Sequence, residues 1–316
     1  MTGRSPGAGG AGERFGDRVA GAVVERRSQL VLGLDPDPER LWPQALQATG
    51  GTGAQPGDRA ALAVAVHCML VMDAVGEQCV AVKLQVACFE RLGAPGWAAL
   101  GEVAARARER GLLVIADAKR GDIDISASAY GQAFFGETPT PYGAVAGLGA
   151  DALTVNPLLG EDSLEPFVRA ARDHGGGLFV LVRTSNPGAA ALQDEQLGDG
   201  GSLSDALART VDRLGQAGIG AAGLSDVGAV IGATAPEHLA RLREQMPTAI
   251  FLIPGVGAQG GAVERLTPAF APGAGGALIA VSRGIVHAHE AFGGDHAEAA
   301  AHEAARLREL AWQLTG

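Results

Sequence analysis

Two residues of opposite charge, Asp117 and Lys119, stand at the end of one apolar segment of the chain. Successive residues of a strand point to opposite faces, so residues two positions apart present their side chains on the same face. Lys83 lies in the preceding apolar segment and can join them if the two strands are neighbours. A structural ion pair is the alternative, but buried pairs contribute little stability, so three such charges together favour a chemical role.

A second group of residues is typical of an anion site. Glycines crowd residues 254–261, P-G-V-G-A-Q-G-G, after the seventh apolar segment, and Arg283 follows the eighth. Backbone N–H groups of such a loop bind phosphate together with a guanidinium group. Glycine alone is weak evidence in a chain with 48 glycines among 316 residues, so Arg283 carries the prediction. Two further charges end apolar segments, Asp35 the first and Arg183 the fifth.

These charges need a scaffold that brings the ends of several strands together. Short apolar segments recur along the chain, as expected of strands that are buried on both faces of a parallel sheet. The eight segments are residues 30–35, 80–84, 112–117, 152–155, 178–182, 228–232, 249–253 and 277–281. Strands that alternate with helices predict an α/β fold, a (β/α)8 TIM barrel, with its catalytic groups at the carboxyl ends of the strands. An open doubly wound sheet is the alternative, but no G-x-G-x-x-G follows the first segment.

Helical periodicity fills the intervals between these segments. The helical segments are residues 59–79, 96–110, 126–135, 161–173, 203–217, 236–245 and 297–314, and the candidate helix N-caps are Asp58, Asp162, Ser163 and Ser202. A single barrel domain is expected over residues 15–316, after a disordered, glycine-rich tail over residues 1–14. Residues 49–57 form a low-complexity insert, and the polar loop 189–201 is a candidate lid because it leaves the end of a strand.

Composition excludes several classes of protein. A hydrophobic content of 47% is too high for a disordered chain, and no apolar run approaches the ~18 residues of a membrane helix. The N-terminus lacks the apolar core of an export signal. The net charge of −10 argues against nucleic acid as a partner, and it also opposes an anionic ligand unless local cations compensate. Cys68, Cys79 and Cys88 form no C-x-x-C pair, so reduced thiols and a cytoplasmic location are expected.

Histidines near the C-terminus raise the alternative of a metal site. They are His287, His289, His296 and His302, with Glu290 beside them. They follow the last strand in a segment rich in Ala and Glu, and their spacing matches no zinc or iron motif. The sequence therefore predicts an ordinary solvated helix face.

Six motifs, each at the end of a predicted strand, resemble those of the orotidine 5′-phosphate decarboxylase family. D-A-K-R-G-D-I at residues 117–123 is similar to the family signature D-x-K-R-x-D-I. The other five are L-G-L-D-P at 32–36, V-K-L-Q-V-A-C-F-E at 82–90, R-T-S-N-P-G at 183–188, P-G-V-G-A-Q-G-G at 254–261 and V-S-R-G-I at 281–285. R-T-S-N-P-G resembles the longer bacterial subgroup of the family. The resemblance covers nearly the whole predicted barrel.

The resemblance implies loss of CO2 from C6 of orotidine 5′-monophosphate, which gives uridine 5′-monophosphate in the last step of de novo pyrimidine nucleotide synthesis. The electron pair left at C6 cannot delocalise into a π system, so the site must stabilise a localised carbanion and protonate it. Lys119 is the implied proton donor, Asp117 the carboxylate beside the leaving group, and Lys83 the residue that orients Asp117. Asp122 is the fourth implied catalytic residue. No cofactor and no metal are implied.

The resemblance also implies a homodimer. Asp122, Ile123 and Ser126 would enter the partner subunit's site, although Asp122 alone is equally well placed as a helix N-cap. The implied substrate-binding residues are Asp35, Ile123, Ser126, Ser185, Pro187, Val256, Gly257, Gln259, Gly260, Arg283 and Gly284. Ser185 has a structural alternative, because S-N-P-G is also a good turn sequence. Arg120 and Arg183 are expected to be structural.

Two other functions remain open at this stage. Related sugar-phosphate decarboxylases and synthases use the same barrel with a looser D-x-K-x-x-D, but depend on Mg²⁺ and an enediolate. A catalytically inactive barrel that binds nucleotides is the second alternative, and the presence of every charge of the implied array argues against it.

Overall fold

Eight parallel strands form the centre of the protein in a computed structural model that describes residues 13–50, 55–198, 200–257 and 260–315. In chain order, the ten strands of the described residues are β1 (Leu30–Leu34), β2 (Ala81–Gln85), β3 (Leu113–Arg120), β4 (Glu137–Thr140), β5 (Gly143–Ala146), β6 (Ala152–Val155), β7 (Gly177–Arg183), β8 (Val227–Ile231), β9 (Phe251–Pro254) and β10 (Ala277–Val281). All except β4 and β5 close into a barrel in the order β1-β10-β9-β8-β7-β6-β3-β2. Each barrel strand overlaps one of the eight apolar segments, and the predicted (β/α)8 barrel is confirmed.

Helices cover the outside of the barrel. In the described part of the chain they are α1 (Phe15–Arg26), α2 (Pro43–Ala48), α3 (Pro56–Val75), α4 (Val86–Glu90), α5 (Ala94–Glu109), α6 (Asp124–Phe134), α7 (Glu161–Asp173), α8 (Ala190–Gln193), α9 (Leu203–Gly215), α10 (Leu239–Gln245), α11 (Arg283–Val286), α12 (His289–Phe292) and α13 (His296–Gln313). Short 3-10 turns lie at Gly76–Gln78, Pro187–Ala189, Gln216–Gly218, Pro236–His238, Val263–Phe270 and Ala274–Gly276.

The lower part of the barrel interior is apolar and is closed by a helix that the sequence analysis did not predict. Phe15, Val19 and Val23 recur every four residues on α1 and are buried together with inward-facing strand residues. The ring of Phe15 meets that of Phe179 edge-on, with centroids 6.0 Å apart. Phe15 also abuts Gly177 at the start of β7, which places α1 at the amino-terminal end of the barrel. The opposite end is left open for a site.

The long helix α3 packs against α5 and α13 in the outer layer. Among the described residues, the segment Pro56–Gln78 is long and apolar enough to cross a membrane by length and composition alone, which corrects the expectation that no stretch approaches this length. More than half of it is buried inside the protein, as in the core helix of a barrel.

Of the four predicted helix N-caps, three are wrong and one is confirmed. Helix α3 begins after Gln55 and α7 after Gly160, so Asp58, Asp162 and Ser163 are not N-caps. Ser202 is the N-cap of α9, where its side chain accepts a hydrogen bond from the Asp205 backbone in a capping box.

Regular structure occurs in two segments for which the sequence predicted neither a helix nor a strand. Residues 137–146 form the antiparallel hairpin β4–β5, and the predicted loop 189–201 contains the short helix α8. The tail is described only from residue 13, and helix α1 begins at residue 15. Residues 1–12, and residues 51–54 of the predicted insert 49–57, lie outside the described residues.

Candidate active site

A cavity of about 440 Å³ opens at the carboxyl ends of the barrel strands. Eight of the residues predicted from the sequence line it: Asp35, Lys83, Asp117, Lys119, Ser185, Val256, Arg283 and Gly284. Its floor is apolar on the side of β7, β8 and β9, where Leu181, Val230 and Leu252 point inward. It is charged on the side of β2 and β3. A ligand in this cavity therefore meets both an apolar surface and a row of charges.

The charged side of the cavity is an alternating row of ammonium and carboxylate groups. Lys83 Nζ donates to Asp117 Oδ2 at 2.7 Å, and Lys119 Nζ donates to Asp117 Oδ1 at 2.5 Å. Lys83 Nζ also lies 3.7 Å from Asp35 Oδ1. The side chains of Lys83 and Asp117 are 9% and 7% exposed, whereas that of Lys119 is 45% exposed. Lys119 is therefore the member of the row that reaches furthest toward a ligand.

Mutual attraction keeps the buried members of this row ionised. Burial by itself would raise the pKa of Asp117, but the ammonium groups of Lys83 and Lys119 outweigh it and hold that pKa well below its usual range. Burial would likewise lower the pKa of Lys83, but Asp117 and Asp35 raise it above its usual value. Both groups are consequently charged throughout the neutral pH range.

An irregular end of β3 brings Asp117 and Lys119 into contact. Ala116 pairs with Leu153 of β6, but the next pair is Arg120 with Val155, so β3 contains a bulge between them. Lys119 has a left-handed backbone, with φ of 47°. The irregular end of the strand and the left-handed residue thus coincide with the place where the two side chains meet. The alternation rule predicted the shared face correctly but not the bulge.

Two polar residues that the sequence analysis missed hold Asp117. Thr154 Oγ1 donates to Asp117 Oδ1 at 2.9 Å, and Gln85 Nε2 donates to Oδ2 at 3.3 Å. Both had a signal in the sequence. Thr154 is the one polar residue of the buried run A-L-T-V, and Gln85 follows Lys83 by two positions, on the same face of the strand.

The wall formed by the end of β7 is fastened to the loop that follows it. Arg183 Nε and Nη2 donate to Asp194 Oδ1 and Oδ2 at 2.8 and 3.0 Å. Gln193 Oε1 accepts from the Thr184 backbone N–H at 2.7 Å, and Gln193 itself lines the cavity. These contacts agree with the structural role expected for Arg183. Together these contacts hold Ser185, which follows Thr184, at the cavity wall.

The predicted phosphate end is only partly described. Arg283 is exposed and lines the cavity, as do Val256 and Gly284. Gly257 and Gly260 have φ of 73° and 88°, a backbone region that glycine adopts without strain. Their N–H groups donate to the carbonyls of Gly261 and Gly257, at 2.9 and 2.8 Å, so they are not free to bind an anion in this conformation. Gln259 lies outside the described residues.

Six described residues of the predicted site do not line the cavity of their own chain: Gly257, Gly260, Asp122, Ile123, Ser126 and Pro187. Pro187 begins a 3-10 turn beside Ser185. Asp122 is not the N-cap of α6, since Ile123 occupies that position and no side chain caps the helix. Asp122 Oδ1 instead accepts from the Ile123 backbone at 2.9 Å. The helix-cap alternative for Asp122 is therefore wrong.

Arg120 has the structural role expected of it. Its guanidinium pairs with Glu90 and lies over the rings of Tyr130 and Phe134, at 5.3 and 5.8 Å from their centroids. It thereby fastens the end of β3 to α4 and α6.

The C-terminal histidines lie closer to the site than predicted, and a solvated face is wrong for three of them. His287, His289 and His296 are half-buried, and the rings of His289 and His296 are 3.8 Å apart. Burial, reinforced by His287 and His296, lowers the pKa of the nearby His67 to about 4. His287 and His67 share a small cavity with Asp35 and Arg283. No group of three or more His, Cys, Asp or Glu side chains that could hold a metal ion occurs among the described residues.

The two lysines of the site are also the only two lysines of the 316-residue chain, and every other cationic side chain that is always charged is an arginine. Lysine differs from arginine in that its ammonium can give up a proton near neutral pH when its surroundings allow. Of the two residue types, Lys and Arg, the one whose cation can give up a proton thus occurs only where the row of charges lies.

The chain is similar over most of its length to known orotidine 5′-phosphate decarboxylases. A curated orotidine 5′-phosphate decarboxylase from Rhodopirellula baltica is 41% identical over 279 residues, which are 87% of this chain and 89% of that protein. One from Deinococcus radiodurans is 41% identical over 275 residues, with the same coverage of both chains. The solved structure of Leishmania donovani OMP decarboxylase is similar with a TM-score of 0.70 and 33% identity, over 94% of this chain and 99% of that one.

The family model described as "Orotidine 5'-phosphate decarboxylase / HUMPS family" matches residues 28–293. The match begins just before β1 and ends after α12, so it contains all eight barrel strands and every residue of the charged row. The chain belongs to this family.

Proposed function

We propose that this protein converts orotidine 5′-monophosphate into uridine 5′-monophosphate and CO2, and that the row Lys83, Asp117, Lys119 carries the reaction. The observation that supports the proposal most strongly is that Asp117 stays ionised between two ammonium groups at the floor of a nucleotide-sized cavity. A fixed carboxylate disfavours a second carboxylate beside it, and a fixed ammonium favours the carbanion that replaces it.

The chemical step needs only one proton from the protein. The bond between C6 and the carboxylate carbon breaks, CO2 departs, and the electron pair remains on C6. Lys119 Nζ then gives its proton to C6, and solvent returns a proton to the amine. Lys119 suits this task because its side chain is the most exposed of the row and is fixed by Asp117.

The remaining cavity residues supply places for the other parts of the nucleotide. Asp35 and Lys83 lie at one edge and are expected to bind the ribose hydroxyls. Ser185 is expected to bind the pyrimidine amide edge, and Arg283 with the Gly284 N–H the phosphate. Lys83, Lys119 and Arg283 outnumber Asp35 and Asp117 in the cavity, so the local charge is positive although the chain carries −10.

We propose further that the active form is a homodimer in which Asp122, Ile123 and Ser126 reach the partner subunit's site. The support is an exposed apolar patch beside the cavity, formed by Ile123, Ile125, Leu158 and Leu159, which are 50%, 86%, 58% and 54% exposed. Residues 121 and 156 are in contact, so both halves of the patch are adjacent. Large side chains with such exposure mark an interaction surface, and covering it with a second copy would carry Asp122 toward that copy's cavity.

Turnover of orotidine 5′-monophosphate in the presence of EDTA tests the reaction. We expect the substrate absorbance to fall and an equal amount of CO2 to form, at the same rate with and without the chelator. Loss of activity in EDTA, or Mg²⁺-dependent turnover of a sugar phosphate instead, would favour the synthase and decarboxylase relatives. Binding of the nucleotide without any turnover would favour a non-catalytic barrel.

Substitution of Arg283 tests the phosphate site. We expect Arg283→Ala to raise KM for the nucleotide by about 10- to 100-fold, the value of one or two charge-assisted hydrogen bonds, with a smaller effect on kcat. Steady-state kinetics measure both constants. Arg59→Ala is the matched control, because Arg59 is exposed in the first turn of α3, outside the cavity. An unchanged KM in Arg283→Ala would remove Arg283 from the phosphate site.

We also infer a cytoplasmic location, with the small nucleotide as ligand and neither nucleic acid nor membrane as partner. The three cysteines are unpaired, and Cys68 and Cys79 are buried, which suits a reducing compartment.

A further inference from the structure

The backbone at Lys119 is in a conformation that most residues avoid. Its φ of 47° lies in the left-handed region, which is unfavourable for a residue with a side chain. Such a conformation persists only where the surrounding structure holds it. At Lys119 the bulge of β3 also removes the N–H from the regular ladder with β6, so this donor needs another partner.

Thr154 supplies that partner. Its side chain, in the residue of β6 opposite the bulge, accepts a hydrogen bond from the Lys119 N–H at 2.9 Å. The same hydroxyl donates to Asp117 Oδ1 at 2.9 Å, and Thr154 is only 1% exposed. One buried oxygen atom is therefore bonded both to the backbone of Lys119 and to the carboxylate of Asp117.

The direction of both bonds is fixed by chemistry. A backbone N–H can only donate, and an ionised carboxylate can only accept, so the hydroxyl proton of Thr154 must point to Asp117. Asp117 Oδ1 then receives two donors, the Thr154 hydroxyl and Lys119 Nζ. Those two bonds determine which way Oδ1 faces, while Lys83 and Gln85 hold Oδ2.

We propose that Thr154 is a positioning residue for decarboxylation, an inference that rests on the proposed function of the site. Its hydroxyl stabilises the left-handed backbone of Lys119 and the rotamer of Asp117 together, so that the ammonium and the carboxylate keep a fixed separation while the substrate reacts. Thr154 lines the cavity, but its hydroxyl acts through Lys119 and Asp117 and not on the reacting atoms.

Loss of the hydroxyl should therefore slow the chemical step more than it weakens binding. In Thr154→Val, which has nearly the same shape, the Lys119 N–H is left buried without an acceptor and Asp117 loses one donor. A misplacement of reacting groups by about 1 Å can lower the rate by about 100-fold. We expect a decrease of that order in kcat, with KM changed by less than about threefold.

Two comparisons separate the effect of the hydroxyl from the effect of packing. The first compares wild type with Thr154→Val, in which a methyl group replaces the hydroxyl. The second compares Thr154→Ser with Thr154→Ala, and it serves as the test if the valine variant does not fold. We expect the serine variant to stay close to wild type, and the valine and alanine variants both to be slow. Equal kcat within each pair would overturn the proposal.

The pH profile gives a readout that a purely structural threonine would not move. Asp117 has a pKa held well below its usual range, and loss of one donor raises that pKa toward the ordinary value. The acid limb of kcat/KM should consequently shift to higher pH in Thr154→Val but stay in place in Thr154→Ser.

The matched control is Thr49→Val, because Thr49 is buried but its hydroxyl donates to the carbonyls of Ala45 and Leu46, outside the cavity. A shift of equal size in this control would contradict the role of Thr154.

Hydrogen exchange of the Lys119 amide distinguishes failure of this inference from failure of the proposed reaction. We expect this amide to exchange faster in Thr154→Val than in wild type or Thr154→Ser, without any substrate present. If the amide exchanges faster in Thr154→Val, but the wild-type protein does not turn over orotidine 5′-monophosphate, the contact is supported and the proposed reaction is overturned. Unchanged exchange would overturn the contact whatever the enzyme does.

Discussion

Replacement of Lys119 by alanine is expected to lower kcat by at least about 10⁴-fold, because it removes both the proposed proton donor and the positive charge proposed to face the carbanion. The fold should be little affected. The Lys119 side chain is 45% exposed, and Asp117 keeps Lys83, Gln85 and Thr154 as partners. The substrate absorbance assay measures the rate, and thermal unfolding reports the stability.

Lys119→Arg separates the two contributions of Lys119. Arginine keeps a positive charge but does not release a proton at neutral pH, so we expect it to restore little of the rate. The control is again Arg59→Ala, which removes a cation from the surface. Turnover of Lys119→Ala at the wild-type rate would exclude Lys119 as the proton donor, and full rescue by arginine would reduce its role to electrostatics.

Subunit mixing is the second experiment with a large expected effect. Asp122→Asn and Lys119→Ala subunits should each be nearly inactive alone, and co-refolding them should restore about a quarter of wild-type activity, since half of randomly assembled dimers contain one intact site of two. The reason is that, in the proposed dimer, each site takes Lys119 from one subunit and Asp122 from the other.

Two measurements make the mixing experiment decisive. Sedimentation of each variant must show the dimer, and a mixture of Lys119→Ala with itself sets the background. No recovery above that background, in a sample that contains mixed dimers, would contradict a role for Asp122 across the interface. Substitution of Ile125 by aspartate should dissociate the dimer and abolish the recovery, because this side chain is 86% exposed in the patch.

The barrel could be predicted from the sequence because its strands are buried on both faces. The run at β6 coincides with the predicted segment 152–155, and that at β10 with 277–281. Helix α1 was missed although Phe15, Val19 and Val23 recur with a helical period, because it precedes the first strand and belongs to no β–α alternation. The hairpin β4–β5 gave no signal, since nearly all of its residues are exposed and no face is apolar.

The charged row could be predicted for a simple physical reason, whereas the bond between Thr154 and the Lys119 backbone could not. Lys83, Asp117 and Lys119 are costly in an apolar strand, so their presence indicates a site. The bond from Thr154 to the Lys119 backbone exists only because β3 bulges, and a bulge without glycine or proline leaves no mark in the sequence. The use of the Gly257 and Gly260 N–H groups within their own loop likewise depends on the loop conformation. A role for Asp122 in a second subunit requires knowledge of two chains.

Because both lysines lie in the cavity, reagents that modify primary amines act selectively on this protein. A reagent that acylates primary amines has only Lys83, Lys119 and the chain terminus to react with. Lys83 is 9% exposed, so the first side chain modified is Lys119. The mass added per chain therefore gives the number of accessible amines. Immobilisation of the protein through its amines would likewise attach it by the chain terminus or by the lysines of the cavity.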